Sequence, residues 1–219
     1  HVKRTLQSGG PARGTFVFEF ATTGIARLAA GGGAEFVVFD MEHTGHSVET
    51  VRMLAAASQA TELVPLVRVP ATEYHFIARV LNVGVMGLMM PMVESVEQAE
   101  KYVRSAKYPP VGRRGAAFGV AHDDYTGGDL VEKMTSANRE TLLIAQIETA
   151  AGVENAERIA AVDGIDCLWI GHFDLANSLG IPAQFEHEKF QASVDRVLAA
   201  CRKHDKIPGF AAGDAAMGR

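Results

Sequence analysis

The feature that most constrains this chain is a regular alternation of short apolar runs with stretches whose apolar residues recur at helical spacing. Candidate strands fall at residues 15–20, 36–40, 63–67, 86–91, 142–147, 166–170 and 207–210. Between them run stripes such as Val48, Val51, Leu54 and Ala55, or Val194, Val197, Leu198 and Cys201, with the period of a helix face. The strand runs are continuous rather than alternating, as expected when both faces of a parallel sheet are covered. One βα unit every ~20–40 residues over such a length predicts a (β/α)8 TIM barrel. A doubly wound sheet is the alternative, but no G-x-G-x-x-G follows the first strand. Seven strands are countable where eight are needed, and barrels take about 250 residues against 219 here. The expectation is one (β/α)8-type domain over residues 1–219, C-terminally incomplete. It lacks its last βα unit and stops inside its seventh helix.

Composition removes several classes of function. The chain is 47% hydrophobic, enough for a sizeable core, and carries 26 acidic against 21 basic residues, a net charge of −5. That balance argues against nucleic acid or an anionic membrane surface, which reward clustered Lys and Arg. No apolar run approaches the ~18 residues of a bilayer span, and no apolar leader opens the chain. Cys167 and Cys201, the two cysteines, make a disulfide framework improbable, so a soluble protein of a reducing, cytoplasmic compartment is expected.

The unusual polar residues collect at the C-terminal ends of predicted strands, the end where barrel enzymes place chemistry. The second strand runs out through Asp40 into Met41, Glu42 and His43; such a group suits proton transfer or a metal, or a loop salt bridge. The third ends at Arg68, which calls for an anionic partner if buried. In the fifth, Gln146 and Glu148 share one strand face. The sixth ends Ile170-Gly171-His172-Phe173-Asp174-Leu175, where Asp174 is a metal ligand or an ordinary helix cap. Two carboxylates from adjacent strand ends fit a hard divalent cation that keeps several waters, such as Mg²⁺ or Mn²⁺. Met86, Met89, Met90 and Met92 read as core packing. The wide gap after the fourth strand reads as a long loop carrying function or a subunit contact, with the His122–Tyr125 stretch within it solvated by default.

Five strings, 39–43, 67–70, 108–115, 146–149 and 170–175, together resemble the HpcH/HpaI family of metal-dependent pyruvate aldolases, in order and spacing, from about Thr5 to Phe210. The resemblance implies a (β/α)8 barrel assembled as hexamers built from dimers. It also implies a carbon–carbon lyase, a class II aldehyde-lyase, that makes or cleaves the bond between pyruvate, as its enolate, and an aldehyde. The implied cofactor is Mg²⁺, Mn²⁺ or Co²⁺, with no organic group. Glu148 and Asp174 match the metal ligands, Arg68 the arginine at the keto oxygen, His43 the acid–base histidine, and Gln146 the amide beside the keto acid. The turn of Gly171, His172, Phe173 and Asp174 matches the one that receives the pyruvate carboxylate. Asp40 and Glu42 stand behind these residues. Two departures are His172, where the family often has proline, and Asn82, which aligns with an aspartate paired to the histidine and is expected to orient His43. No lysine stands at these strand ends, which disfavours a Schiff-base aldolase. An oxaloacetate-type decarboxylase or an acyl-CoA thioester lyase on the same barrel are the alternative activities.

Overall fold

Parallel strands that are buried on both faces organise the chain in the computed structural model, which describes residues 2–213. These residues fall into two compact units. Of the described residues, the first comprises 2–89 and 101–142, the second 90–100 and 143–213. The chain therefore crosses from one to the other three times. The helix expected at the C-terminal end falls on residues 214–219, outside the described residues.

The first unit opens with α1 (Val2–Gln7), β1 (Gly14–Val17), α2 (Ile25–Gly31), β2 (Phe36–Asp40), α3 (Val48–Ser58), β3 (Val64–Arg68) and α4 (Tyr74–Asn82). β4 (Gly87–Met90) and α5 (Val96–Ala106) each straddle a crossing, and α6 (Leu130–Glu140) leads into β5 (Leu142–Ile147). In the second unit follow α7 (Ala150–Ala160), β6 (Cys167–Ile170), α8 (His172–Ser178), α9 (Glu188–Lys203) and β7 (Ile207–Phe210). Within the first unit β1, β2, β3 and β4 pair in chain order, all parallel. Within the second, β5, β6 and β7 do the same. Every residue of β2, β3 and β5 is buried, which is why these strands read as unbroken apolar runs. Ser47, Asp129 and Thr149 stop the preceding loops by accepting the backbone N–H of Thr50, Glu132 and Gly152 at the starts of α3, α6 and α7.

All seven predicted strands are present, three of them with the bounds read from the sequence. The first is shorter than its apolar run. β1 stops at Val17, and Phe20 takes φ 60°, a left-handed backbone that ends extension. The methionine reading is half corrected. Met89 and Met90 are fully buried in β4, but Met86 and Met92 flank the strand and are 40% and 46% exposed. The long loop is less open than expected. Asp123 accepts from Lys133 Nζ at 2.7 Å and from the backbone N–H groups of Gly119 and Val120. The Lys133 contact leads in drawing the Asp123 carboxyl down to about 2.

Candidate active-site residues

Strand register brings the first cluster together. Asp40 and Arg68 are paired last residues of β2 and β3, so both leave the sheet at the same level. Arg68 Nε donates to Asp40 Oδ1 at 2.6 Å and lies 3.2 Å from Glu42 Oε2. Asp40 is fully buried and also shapes the turn that follows it. Its Oδ1 accepts from the backbone N–H of Glu42 at 3.3 Å and its Oδ2 from that of His43 at 3.0 Å. Thr44 Oγ1 donates to the Asp40 carbonyl oxygen. One carboxylate thereby holds the guanidinium and folds the 40–44 turn, a supporting task rather than a chemical one. His43 stands outside, its side chain 54% exposed, with Nε2 3.6 Å from Glu42 Oε2. Glu42 thus faces both the arginine and the histidine.

Asn82 is placed elsewhere within this unit. It ends α4, and its Oδ1 accepts from Arg114 Nη2 at 2.7 Å. The hydrogen bond expected from Asn82 to His43 is therefore replaced by one to a buried arginine 32 positions along the chain. The Arg114 guanidinium also lies over the Tyr108 ring, 4.6 Å from its centroid, and its burial lowers its pKa. The sequence carried no signal for this partnership.

The second cluster forms by the same device. Ile147 and Ile170 are register partners at the ends of β5 and β6, so the next residues, Glu148 and Gly171, emerge side by side. Glu148 is 1% exposed. Its Oε1 accepts from the backbone N–H of Met92 at 2.7 Å and its Oε2 from Gln146 Nε2 at 2.5 Å. The other end of that amide, Gln146 Oε1, is buried with no hydrogen-bond partner. Gly171 is required by closeness: a Cβ there would sit 2.3 Å from Glu148 Oε2 and 2.7 Å from Gln146 Nε2. Asp174 lies in the first turn of α8 and is exposed.

His172 and Phe173 take different positions at the start of that helix. The His172 ring is buried against Phe173, Phe185 and Phe210, at centroid distances of 4.2, 5.2 and 5.1 Å. Burial pulls its pKa down, against the opposing pull of the Asp174 charge. Where proline would stiffen the turn, this chain has an imidazole wedged among aromatic rings. Phe173 is 61% exposed.

As a metal site, the second cluster offers oxygen only. Among the described residues no group of three or more His, Cys, Asp or Glu side chains could hold an ion. Glu148 and Asp174, with solvent or substrate oxygens making up the shell, match a hard cation that retains waters, and they do not match zinc. The buried Gln146 Oε1 shows that this pocket of polar groups is incomplete by itself. Both features fit a divalent cation and an oxygen-rich ligand.

The family model described as HpcH/HpaI aldolase/citrate lyase matches residues 15–212. A hydroxypyruvate/pyruvate aldolase of Roseobacter denitrificans is 31% identical over 98% of this chain and 83% of its own length. A 5-keto-4-deoxy-D-glucarate aldolase of Klebsiella pneumoniae is 34% identical over 82% of this chain and 70% of its own. The crystal structure of an HpcH/HpaI aldolase from Desulfitobacterium hafniense superposes with a TM-score of 0.95 at 33% identity, covering 99% of this chain and 84% of that one.

Proposed function

From the premise that the chain belongs to the HpcH/HpaI aldolase/citrate lyase family and is a carbon–carbon lyase, we propose a metal-dependent aldolase that makes or cleaves 4-hydroxy-2-oxo acids through the enolate of pyruvate. The observation that carries this reading is the buried Glu148 carboxylate, flanked by an amide oxygen without a partner and by a glycine that admits no Cβ. The finer fold reading, one (β/α)8 barrel domain lacking its last unit, and the expected homo-oligomer belong to the same proposal.

Glu148 and Asp174 hold the divalent cation, Mg²⁺, Mn²⁺ or Co²⁺. When bound, it acts as a Lewis acid toward the carboxylate and keto oxygens of the 2-oxo acid. Cleavage of the C3–C4 bond leaves the electron pair on the pyruvate fragment, so negative charge develops on its former keto oxygen. Arg68 donates to that oxygen from a guanidinium whose Nε is anchored by Asp40 and Glu42, which limits reorganisation as the charge appears. The backbone N–H groups of His172, Phe173 and Asp174 receive the pyruvate carboxylate, whereas that of Gly171, expected to join them, is donated to the Ile147 carbonyl at 3.1 Å. Gln146 orients the keto acid beside Glu148. His43 takes up the proton that leaves the C4 hydroxyl as the aldehyde forms, directly or through a water, and returns it in the synthetic direction. Its exposure keeps it in contact with that solvent.

The test is pyruvate release from a racemic 4-hydroxy-2-oxo acid by chelated protein, before and after Mg²⁺, Mn²⁺ or Co²⁺ is restored. Release that disappears with chelator and returns with metal is the expected result. A folded chain that releases no pyruvate with any of the three overturns the proposal and moves the activity to thioesters.

A further inference from the structure

Four groups surround the Arg68 side chain, and two of them are aromatic rings with no role in the mechanism above. Phe16 and Phe18 stand two residues apart at the end of β1, so in extended chain they project to the same side. Their rings stack at 5.5 Å with 13° between planes. The Arg68 guanidinium carbon lies 5.3 Å from the Phe16 centroid and 5.8 Å from that of Phe18, both within the ~6 Å reach of a cation–π contact.

Asp40 and Glu42 engage only Nε, and among the described residues no hydrogen bond reaches the two terminal nitrogens. A guanidinium held at Nε alone can still turn about its Cδ–Nε bond, and that turn swings both terminal nitrogens through an arc. Rings whose centroids lie 5.3 and 5.8 Å from its central carbon crowd that arc. We infer that Phe16 and Phe18 are positioning residues which set the plane of the Arg68 guanidinium, so that its terminal N–H groups meet the developing enolate oxygen at a fixed angle. This rests on the aldolase reading for its chemistry. The contact itself does not.

Phe18 is the better probe, because it is 46% exposed and lies beyond the strand. Phe18→Leu keeps apolar bulk and removes the π face; Phe18→Tyr keeps both. The expected result is about a tenfold fall in kcat for Phe18→Leu, the scale of one partly buried cation–π contact, with KM changed by less than about twofold if the contact acts on the transition state alone. Phe18→Tyr restores kcat. In the Arg68→Ala background Phe18→Leu costs nothing further. Parent-like kcat in Phe18→Leu, or an equal loss with and without Arg68, overturns the inference. If the parent releases no pyruvate at all, the aldolase reading fails separately, and the same four variants are then compared by thermal unfolding. A Phe18→Leu destabilisation that vanishes without Arg68 sustains the contact, and one that persists unchanged removes it.

Discussion

Each unit ends a pair of neighbouring strands on a carboxylate, and the two carboxylates are treated differently. Asp40, after β2, accepts from a guanidinium and from two backbone N–H groups. Glu148, after β5, accepts from a backbone N–H and a primary amide, both neutral donors. The first arrangement spends its negative charge inside the protein, locking an arginine and a turn. The second meets neutral donors at both of these contacts, a backbone N–H at Oε1 and an amide at Oε2. Equal burial thus serves two ends, and the partner's charge distinguishes them.

Mutation sharpens this contrast most strongly at the second cluster. Glu148→Gln is expected to abolish metal-dependent pyruvate release, a fall of about 10³-fold or more, yet to change stability by no more than about 1 kcal/mol, the scale of one exchanged hydrogen bond. Chemical unfolding and steady-state kinetics on one preparation check both halves. Gly171→Ala adds a methyl against Glu148 Oε2 and is expected to lower kcat by about 10²-fold, the penalty for displacing a reacting group by an ångström. At the first cluster the balance reverses. Asp40→Ala strands a buried guanidinium and should cost about 3–5 kcal/mol of stability, read as a shift of the urea midpoint. Parent-like stability in Asp40→Ala would dissolve the distinction between the clusters.

The smallest effect separates the units themselves. Both cysteines lie in the second, Cys167 in β6 and Cys201 in α9, and both are buried. Burial raises both thiols, Cys201 to about 11. A thiol reagent at pH 8 is expected to label neither until the second unit opens. The folded thiols hold their protons above the pH at which unfolded ones lose them. The Cys201 contribution is therefore complete below the ordinary thiol value of 9.0 and is lost as pH rises through about 11. Unfolding titrations between pH 8 and 11 follow it, and Cys201→Ala should flatten the slope.

What could be read from sequence divides along physical lines. Phe36–Asp40 and Leu142–Ile147 were legible to the residue because burial on both faces leaves an unbroken apolar run; Ile207–Phe210 was legible as a short apolar run although it is only partly buried. At β1 the run continues through Phe18 and Phe20, which are exposed, so apolarity overstates the strand. The strand-end positions of Asp40, Arg68, Gln146 and Glu148 followed from the same runs. Their contacts did not, because register decides which ends meet: Asp40 beside Arg68, Glu148 beside Gly171. The Asn82–Arg114 bond and the rings beside Arg68 join residues remote in sequence and of no fixed spacing. The alternation of Phe16, Phe18 and Phe20 at period two was the one available hint of an aromatic face.

The three crossings of the chain have a consequence for how such a protein can change. Neither unit corresponds to a contiguous stretch of coding sequence. A recombination event with one breakpoint cannot exchange one unit whole and leave the other intact. Exchanging the second unit cleanly would need breakpoints near residues 89, 100 and 142, inside β4, inside α5 and at the start of β5, where a junction interrupts strand pairing or a helix face. Point substitutions and loop changes leave the continuity of both units intact, whereas an exchange of one whole unit has to cut regular elements at its junctions.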